Sequence, residues 1–249
     1  MSKSNFVHTF EINEKGRDFA VGDIHGHFTR LEKALARIGF DKRVDRLFSV
    51  GDLVDRGPES DKVLWYLRQP WFHAVRGNHE DMAIRWPNGG MDAANYASNG
   101  GGWNVANLLH ISRAYAYEFS ELPLAINIAT ASGQIGIVHA DCPFATWREF
   151  IAALEDDQLT NKARKMVFEH AMWSRERLME VKRHGVLDMR AVVVGHTPLQ
   201  EAAILGNVYF IDTGGWRNVG HFTFLELDSL KLMPTPTDRL EWEAVCPRN

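Results

Sequence analysis

Asp18-Phe19-Ala20-Val21-Gly22-Asp23-Ile24-His25-Gly26 reads as a short strand running into a tight turn that carries an aspartate and a histidine. The pattern repeats twice. Leu47-Phe48-Ser49-Val50 runs into Gly51-Asp52, and Phe72 to Val75 runs into Arg76-Gly77-Asn78-His79. Between these runs the apolar spacing changes. Phe28 to Ile38 places Leu31, Leu35 and Ile38 on one face, which predicts an amphipathic helix. Pro58 can open a second helix through Val63, Leu64 and Leu67, and a third is expected from Glu80 to Trp86. Three strand-to-helix units in succession predict an α/β layer arrangement. Ligands of open α/β sheets bind beyond the carboxyl ends of the strands, so the three polar turns should meet there.

The glycine- and asparagine-rich stretch from Pro87 to Gly102, with Trp103 after it, predicts irregular backbone. Two readings fit it: a cap over a site, or a mobile surface insertion. Helical patterns follow around Val105 to Leu109 and Ala114 to Phe119. The second half is richer in strands. Ala125 to Ala129 and Gln134 to Val138 suggest a hairpin ending in His139-Ala140-Asp141. Phe150 to Leu154 and Lys162 to Trp173 read as helices. Ala191-Val192-Val193-Val194 is a buried strand ending in Gly195-His196, and Val208 to Ile211 and Phe222 to Leu227 complete the sheets.

Composition limits the function classes. The chain has 249 residues, 45% hydrophobic and 24% charged, which is ordinary for a globular protein with a sizeable core. The expected organisation is one domain over 1–249. A net charge of −4 and the absence of a clustered basic face argue against a nucleic-acid partner. No run approaches a membrane-spanning length. Cys142 and Cys246 are too few for a disulfide framework, and the N-terminal stretch lacks a signal-peptide pattern. A cytoplasmic enzyme is the expectation.

A lone histidine after a strand is more often structural than a ligand. Six metal-capable residues in the same position are another matter: Asp23, His25, Asp52, Asn78, His139 and His196 each follow an apolar run. The set is imidazole, carboxylate and amide oxygen without thiolate, which suits manganese, iron or zinc. It is too large for one catalytic zinc. It suits two ions about 3.5–4 Å apart that share a carboxylate and activate water. Arg56 and Arg76, embedded in the same turns, are candidates to fork onto phosphate oxygens; the alternative is surface ion pairing. His79 can supply a proton to a leaving group, with Asp55 holding its ring or, alternatively, capping the turn before Gly57-Pro58.

Gly22-Asp23-Ile24-His25-Gly26, Gly51-Asp52-Leu53-Val54-Asp55-Arg56-Gly57 and Arg76-Gly77-Asn78-His79-Glu80 together resemble the three motifs of the phosphoprotein phosphatases, calcineurin-like metallophosphoesterases. Asn99-Gly100-Gly101-Gly102-Trp103, His139-Ala140-Asp141, Trp173-Ser174-Arg175-Glu176-Arg177, Gly195-His196-Thr197-Pro198 and Ile211-Asp212-Thr213-Gly214 extend the resemblance to the bacterial and phage branch, over residues 18–227. It implies a central β-sandwich flanked by helices and two divalent ions, manganese first. Asp23, His25 and Asp52 would hold one ion. Asp52, Asn78, His139 and His196 would hold the other. A hydroxide shared by the ions would attack the phosphorus, His79 would be the general acid oriented by Asp55, and Arg56, Arg76 and Arg175 would hold the phosphate. The role of Arg175 comes from the resemblance alone. His27 stands where the branch often has cysteine and reads as a solvated turn histidine, with a further ligand role the alternative. Residues 228–249 have no counterpart in it.

The implied activity is a serine/threonine protein phosphatase, with dual specificity open. The alternative is a symmetrical diadenosine tetraphosphate hydrolase. That family usually lacks an aspartate at the position of Asp55 and ends its third motif in Asp, where this chain has Glu80. A binding module that has lost catalysis is a third reading. It would have lost ligands or the general acid, and every such position is filled here.

Overall fold

The computed structural model describes residues 6–234. In chain order the elements are β1 (Val7–Phe10), β2 (Asp18–Val21), α1 (Phe28–Arg37), β3 (Arg46–Ser49), α2 (Val63–Leu67), β4 (Phe72–Ala74) and α3 (Asn78–Arg85). Then come α4 (Ala93–Tyr96), α5 (Gly102–Val105), α6 (Leu109–Ser120), β5 (Ala125–Thr130), β6 (Gly133–Val138), α7 (Trp147–Glu155), α8 (Asn161–Trp173) and α9 (Glu176–Met179). The last strands are β7 (Ala191–Val194), β8 (Ala203–Leu205), β9 (Val208–Phe210), β10 (Phe224–Glu226) and β11 (Lys231–Met233).

The strands form two sheets. One is six-stranded in the order β1-β5-β6-β7-β9-β8, the other five-stranded in the order β11-β10-β2-β3-β4. They stack face to face. Ala20 and Phe48 from one sheet and Ile126, Ile135, Ile137 and Val193 from the other form one buried cluster between them. Alternate residues of the same strands point outward. Phe19, Val21 and Leu47 pack under Phe28, Leu31 and Phe119 of α1 and α6. Val192 and Val194 pack under Phe150 and Leu154 of α7. Burial on both faces is why these strands read as continuous apolar runs rather than alternating ones. The expected α/β sandwich flanked by helices is the fold. No helix among the described residues is long and apolar enough to cross a membrane.

Three differences from the sequence reading matter. Strand β1 pairs in parallel with β5, Val7 opposite Ala125. With His8 and Thr9 adjacent inside Val7-His8-Thr9-Phe10, it lacks both the alternation and the apolar run that signal a strand. Helix α3 starts at Asn78, two residues before the expected Glu80, so Asn78 and His79 lie in its first turn. The stretch expected to be irregular is a chain of short helical turns: a 3-10 turn at Trp86–Asn88, then α4, a wide turn at Ala97–Gly101, and α5. Gly100 takes φ 100° between them. Of residues 228–249, the part up to 234 adds edge strand β11 against β10; the rest, with Cys246, lies outside the described residues. Cys142 is a free, buried thiol that burial pushes up to about 12.

His73 on β4 packs against the rings of Phe10 at 4.4 Å and Phe48 at 5.1 Å. Burial, with Arg46 and His8 adding to it, pushes its imidazole down from 6.5 to about 4. The folded state therefore refuses a proton that the unfolded chain accepts. Stability from this group is complete above pH 6.5 and is lost as pH falls toward 4, by roughly 1–3 kcal/mol. In urea unfolding, His73→Phe should lose less stability than wild type between pH 7 and 4.5. An equal loss in both proteins would remove His73 as the cause.

Candidate active site

Strands β2, β3 and β4 run parallel in one sheet, and β6, β7 and β9 run parallel in the other. Their carboxyl-terminal turns deliver the side chains. Asp23 and His25 follow β2, Asp52 to Arg56 follow β3, and Asn78 and His79 follow β4. His139 follows β6 and His196 follows β7. The structure brings all of them into one buried cluster: Asp23, His25, Asp52, Asp55, Asn78, His79, His139 and His196 are each at most 7% exposed.

Asp52 lies at its centre. Its Oδ2 is 3.6 Å from His25 Nε2 and 3.8 Å from His79 Nε2, and its Oδ1 is 3.4 Å from His139 Nε2. Asp23 Oδ2 is 3.9 Å from His25 Nε2. On the other side Asn78 Oδ1 meets His139 Nε2 at 2.9 Å and His196 Nδ1 at 2.8 Å. Two groups of side chains are close enough to share an ion: His25, Asp52 and His79, and Asp52, His139 and His196. Asp52 belongs to both. The tighter partner of His25 and Asp52 is thus His79, and Asp23 stands slightly farther off.

The turns are held in unusual backbone. His25, Asp52, Asp55, Arg56 and His196 have φ of 43°, 51°, 70°, 66° and 66°. Non-glycine residues rarely take such values, and they persist where surroundings enforce them. Here Ile24 N and His25 N both donate to Asp52 O, at 3.0 and 2.8 Å. The Glu80 carboxylate accepts from Asp52 N, Leu53 N and Gly77 N, at 2.9, 2.8 and 2.8 Å, tying the second turn to the third. Gly51 has φ 98°, and a Cβ there would stand 2.7 Å from Gly77 N, so the two turns touch backbone to backbone.

Each imidazole is oriented from behind. Nδ1 of His25 donates to Val54 O at 2.9 Å, and that of His139 to Val50 O at 2.7 Å. Nδ1 of His79 donates to Asp55 Oδ2 at 2.7 Å. His196 is turned the other way, with Nε2 donating to Trp173 O at 3.2 Å. A partner on the outer nitrogen fixes the tautomer and aims the other nitrogen at the site.

Electrostatics follow burial. Burial and the neighbouring carboxylates of Asp212 and Asp52 hold Asp23 well above the usual carboxylate range. Burial would raise Asp52 too, but His139, His79 and His25 outweigh it and hold it well below. Burial, then Asp52, pushes Glu80 up to about 7. Burial and His79 lower His25, and burial and His139 push His196 down to about 3. Burial would lower His139, but Asp52, its hydrogen bond and Val50 O outweigh burial and raise it. Imidazole nitrogens, an amide oxygen and crowded carboxylates facing one another make a donor set that fits divalent metal ions.

Asp55 is fully enclosed. Besides His79, it accepts from Trp103 Nε1 at 2.7 Å and Tyr96 OH at 3.1 Å, both on Oδ1. Both donors come from the helical turns at 87–103, and Gly100 O accepts from Arg56 N at 3.3 Å. That segment is therefore packed against the second turn. Trp103→Phe removes one of these bonds and should lower phosphate-ester turnover roughly tenfold, equivalent to ~1.4 kcal/mol, with metal content intact. Unchanged turnover would mean that Tyr96 alone fixes Asp55.

The arginines divide. Arg56 points into the cluster, its Nη1 2.8 Å from His25 Nε2 and Nη2 2.9 Å from His79 Nε2. Its guanidinium lies 4.6 Å from the ring centroid of Trp216. Arg175 is exposed and near enough to His196 to help depress it. Arg76 goes elsewhere: its Nη2 donates to Ser120 O at 2.6 Å and Leu122 O at 3.1 Å, at the end of α6. Its Nη2 is thus turned to the carbonyls that end a helix, and this geometry lends no support to the expectation that it grips phosphate. His27 Nδ1 bonds His25 O at 2.7 Å, at the N-terminal cap of α1.

Three residues without an assigned role in the sequence reading complete the site. Arg177, 3% exposed, pairs with Asp141 at 2.7 Å and anchors the segment that carries Arg175. Trp216 stands edge-on to His25 at 4.8 Å. Asp212 lies beside Asp23; the sequence signal for it was its place after the run Val208 to Ile211.

The sequence pattern of the calcineurin-like phosphoesterases matches residues 19–200. The chain is 37% identical over 199 residues to serine/threonine-protein phosphatase 1 of Salmonella typhimurium, covering 79% of this chain and 85% of the relative. It is 45% identical over 65 residues to the symmetrical bis(5'-nucleosyl)-tetraphosphatase of Hamiltonella defensa, covering 25% of this chain and 24% of that one. A protein serine/threonine phosphatase from Saccharomyces cerevisiae has a similar fold, with TM-score 0.60 at 16% identity over 90% of this chain and 77% of the other.

Proposed function

Because this chain belongs to the calcineurin-like phosphoesterase family as a metal-dependent phosphatase, we propose that it is a serine/threonine protein phosphatase acting on phosphorylated proteins. The Asp55–His79 pair carries this reading. A phosphoserine or phosphothreonine ester releases an alkoxide, which is strongly basic and needs a proton as the bond breaks. Cleaving diadenosine tetraphosphate into two ADP expels ADP through a weakly basic phosphate oxygen, which leaves without one. An enclosed carboxylate aimed at a histidine is of use in the first reaction and dispensable in the second. The long similarity to a serine/threonine phosphatase, against a quarter of the chain for the tetraphosphatase, supports the same choice.

His79 donates the proton from Nε2, and Asp55 holds the ring by Nδ1. Arg56, between His25 and His79, bonds the phosphoryl oxygens, and Arg175 adds charge from the other side. Asp23, His25 and Asp52 would hold one divalent ion, and Asp52, Asn78, His139 and His196 a second, with manganese the first choice. When bound, such ions neutralise phosphoryl charge and lower the pKa of water from about 15.7 toward 7. Trp216 steadies Arg56 through its ring face. The chain acts as one catalytic domain, with residues 87–103 as the wall behind Asp55.

The deciding experiment measures manganese-dependent phosphate release from phosphoserine and phosphothreonine peptides beside cleavage of diadenosine tetraphosphate. Peptide dephosphorylation that a chelator abolishes, with weak dinucleotide cleavage, is the expected result. Preferred conversion of the dinucleotide to two ADP would overturn the substrate class.

A further inference from the structure

We propose that Asp212 is a further carboxylate ligand of the ion held by Asp23 and His25. The inference rests on the metal-site reading above. Strand β9 pairs in parallel with β7, so Asp212 leaves the sheet one strand beyond His196, at the same edge. The turn is tightly placed. Ile211 N donates to Val194 O at 2.9 Å, and Leu199 N to Asp212 O at 2.9 Å. Gly22 lets this turn approach that of β2, since a Cβ there would stand 2.5 Å from Ile211 O and 2.9 Å from Asp212 Cα.

The side chain is 1% exposed. Its Oδ1 accepts from Gly214 N at 2.9 Å. Its Oδ2 is buried and receives no hydrogen bond from any described donor. The neighbour that the carboxyl does meet, within hydrogen-bonding reach, is the carboxyl of Asp23. Asp23 is itself 2% exposed and, among the described residues, has one hydrogen-bond donor, His196 N, at 3.1 Å.

Two buried carboxyl groups in contact, one with an unmet acceptor oxygen, are costly as they stand. A structural aspartate would have a donor on Oδ2. A cation between the two converts the repulsion into attraction. With Asp212 included, the ligands on this side become three carboxylates and one imidazole. Oxygen-rich sets suit manganese or magnesium better than zinc, so Asp212 biases this ion toward manganese.

Asp212→Asn keeps the shape and the acceptor for Gly214 N while removing the charge. Manganese titrations by calorimetry, with melting curves in manganese and in chelator, test it. Wild type should bind two ions; binding of none would overturn both this inference and the metal-site reading. In Asp212→Asn one ion should weaken by about 10–100-fold and the other stay unchanged. The variant should melt no lower than wild type in chelator, yet lower in manganese. Unchanged affinity for both ions, or an equal drop in melting temperature with and without manganese, would make Asp212 purely structural and sink the proposal.

Discussion

His79→Asn lowers turnover on phosphoserine peptides by about 10²–10⁴-fold, the usual size of general acid catalysis, and leaves metal content unchanged. The fold should tolerate the change. The backbone N of residue 79 keeps its bond to Asp52 Oδ1 at 2.9 Å. Asp55, robbed of its imidazole, keeps Trp103 and Tyr96. What is lost is ring nitrogen Nε2, the proposed proton donor, which faces Arg56 and hence the phosphate position. The loss should shrink on nitrophenyl phosphate, whose leaving group is stable as an anion. Rates measured on both esters decide the matter. Equal losses on the two would mean that His79 serves binding or metal retention, not proton transfer.

Asp52→Asn weakens both ions together, by about 10–100-fold or more each, and turnover falls with them. The reason is position. One oxygen faces His25 and His79, the other His139, so a single carboxylate serves both halves of the cluster. An amide keeps one acceptor oxygen and turns an NH₂ group to the other side, where it opposes a cation. Metal analysis and calorimetry of the variant would show it. A variant that retains one ion at wild-type affinity with wild-type turnover would rule out the bridging position.

The sequence made much of this cluster legible because its candidate ligands obey one rule: each follows a buried strand. The rule needs only local information, an apolar run and then Asp, His or Asn. Direction is not local. Arg175 and Arg177 sit two residues apart, yet one is exposed and the other is clamped to Asp141. Arg76 reads as a phosphate ligand because it adjoins Asn78, yet its Nη2 is turned to the end of α6, more than forty residues later. Asp212 follows the rule as well as His196 does. Its importance shows only when Asp23 is found beside it. The glycines near residue 100 were read as breakers of regular structure. Held by Tyr96, Trp103 and the Arg56 backbone, they turn the chain between short helices instead. Strand β1 was missed because its partner β5 lies far along the chain and its own residues are half polar.

Asp23 accepts a hydrogen bond from His196, 173 residues further on. A ribosome adding about 5–20 residues per second needs roughly 10–35 seconds to cover that distance. Throughout that time the first turns exist as an aspartate, a histidine and a carboxylate in solvent, without the two histidines of the other sheet. Ions that bind such a partial set exchange freely. The complete ligand cluster, and with it any tight hold on an ion, exists only once the second sheet has been made.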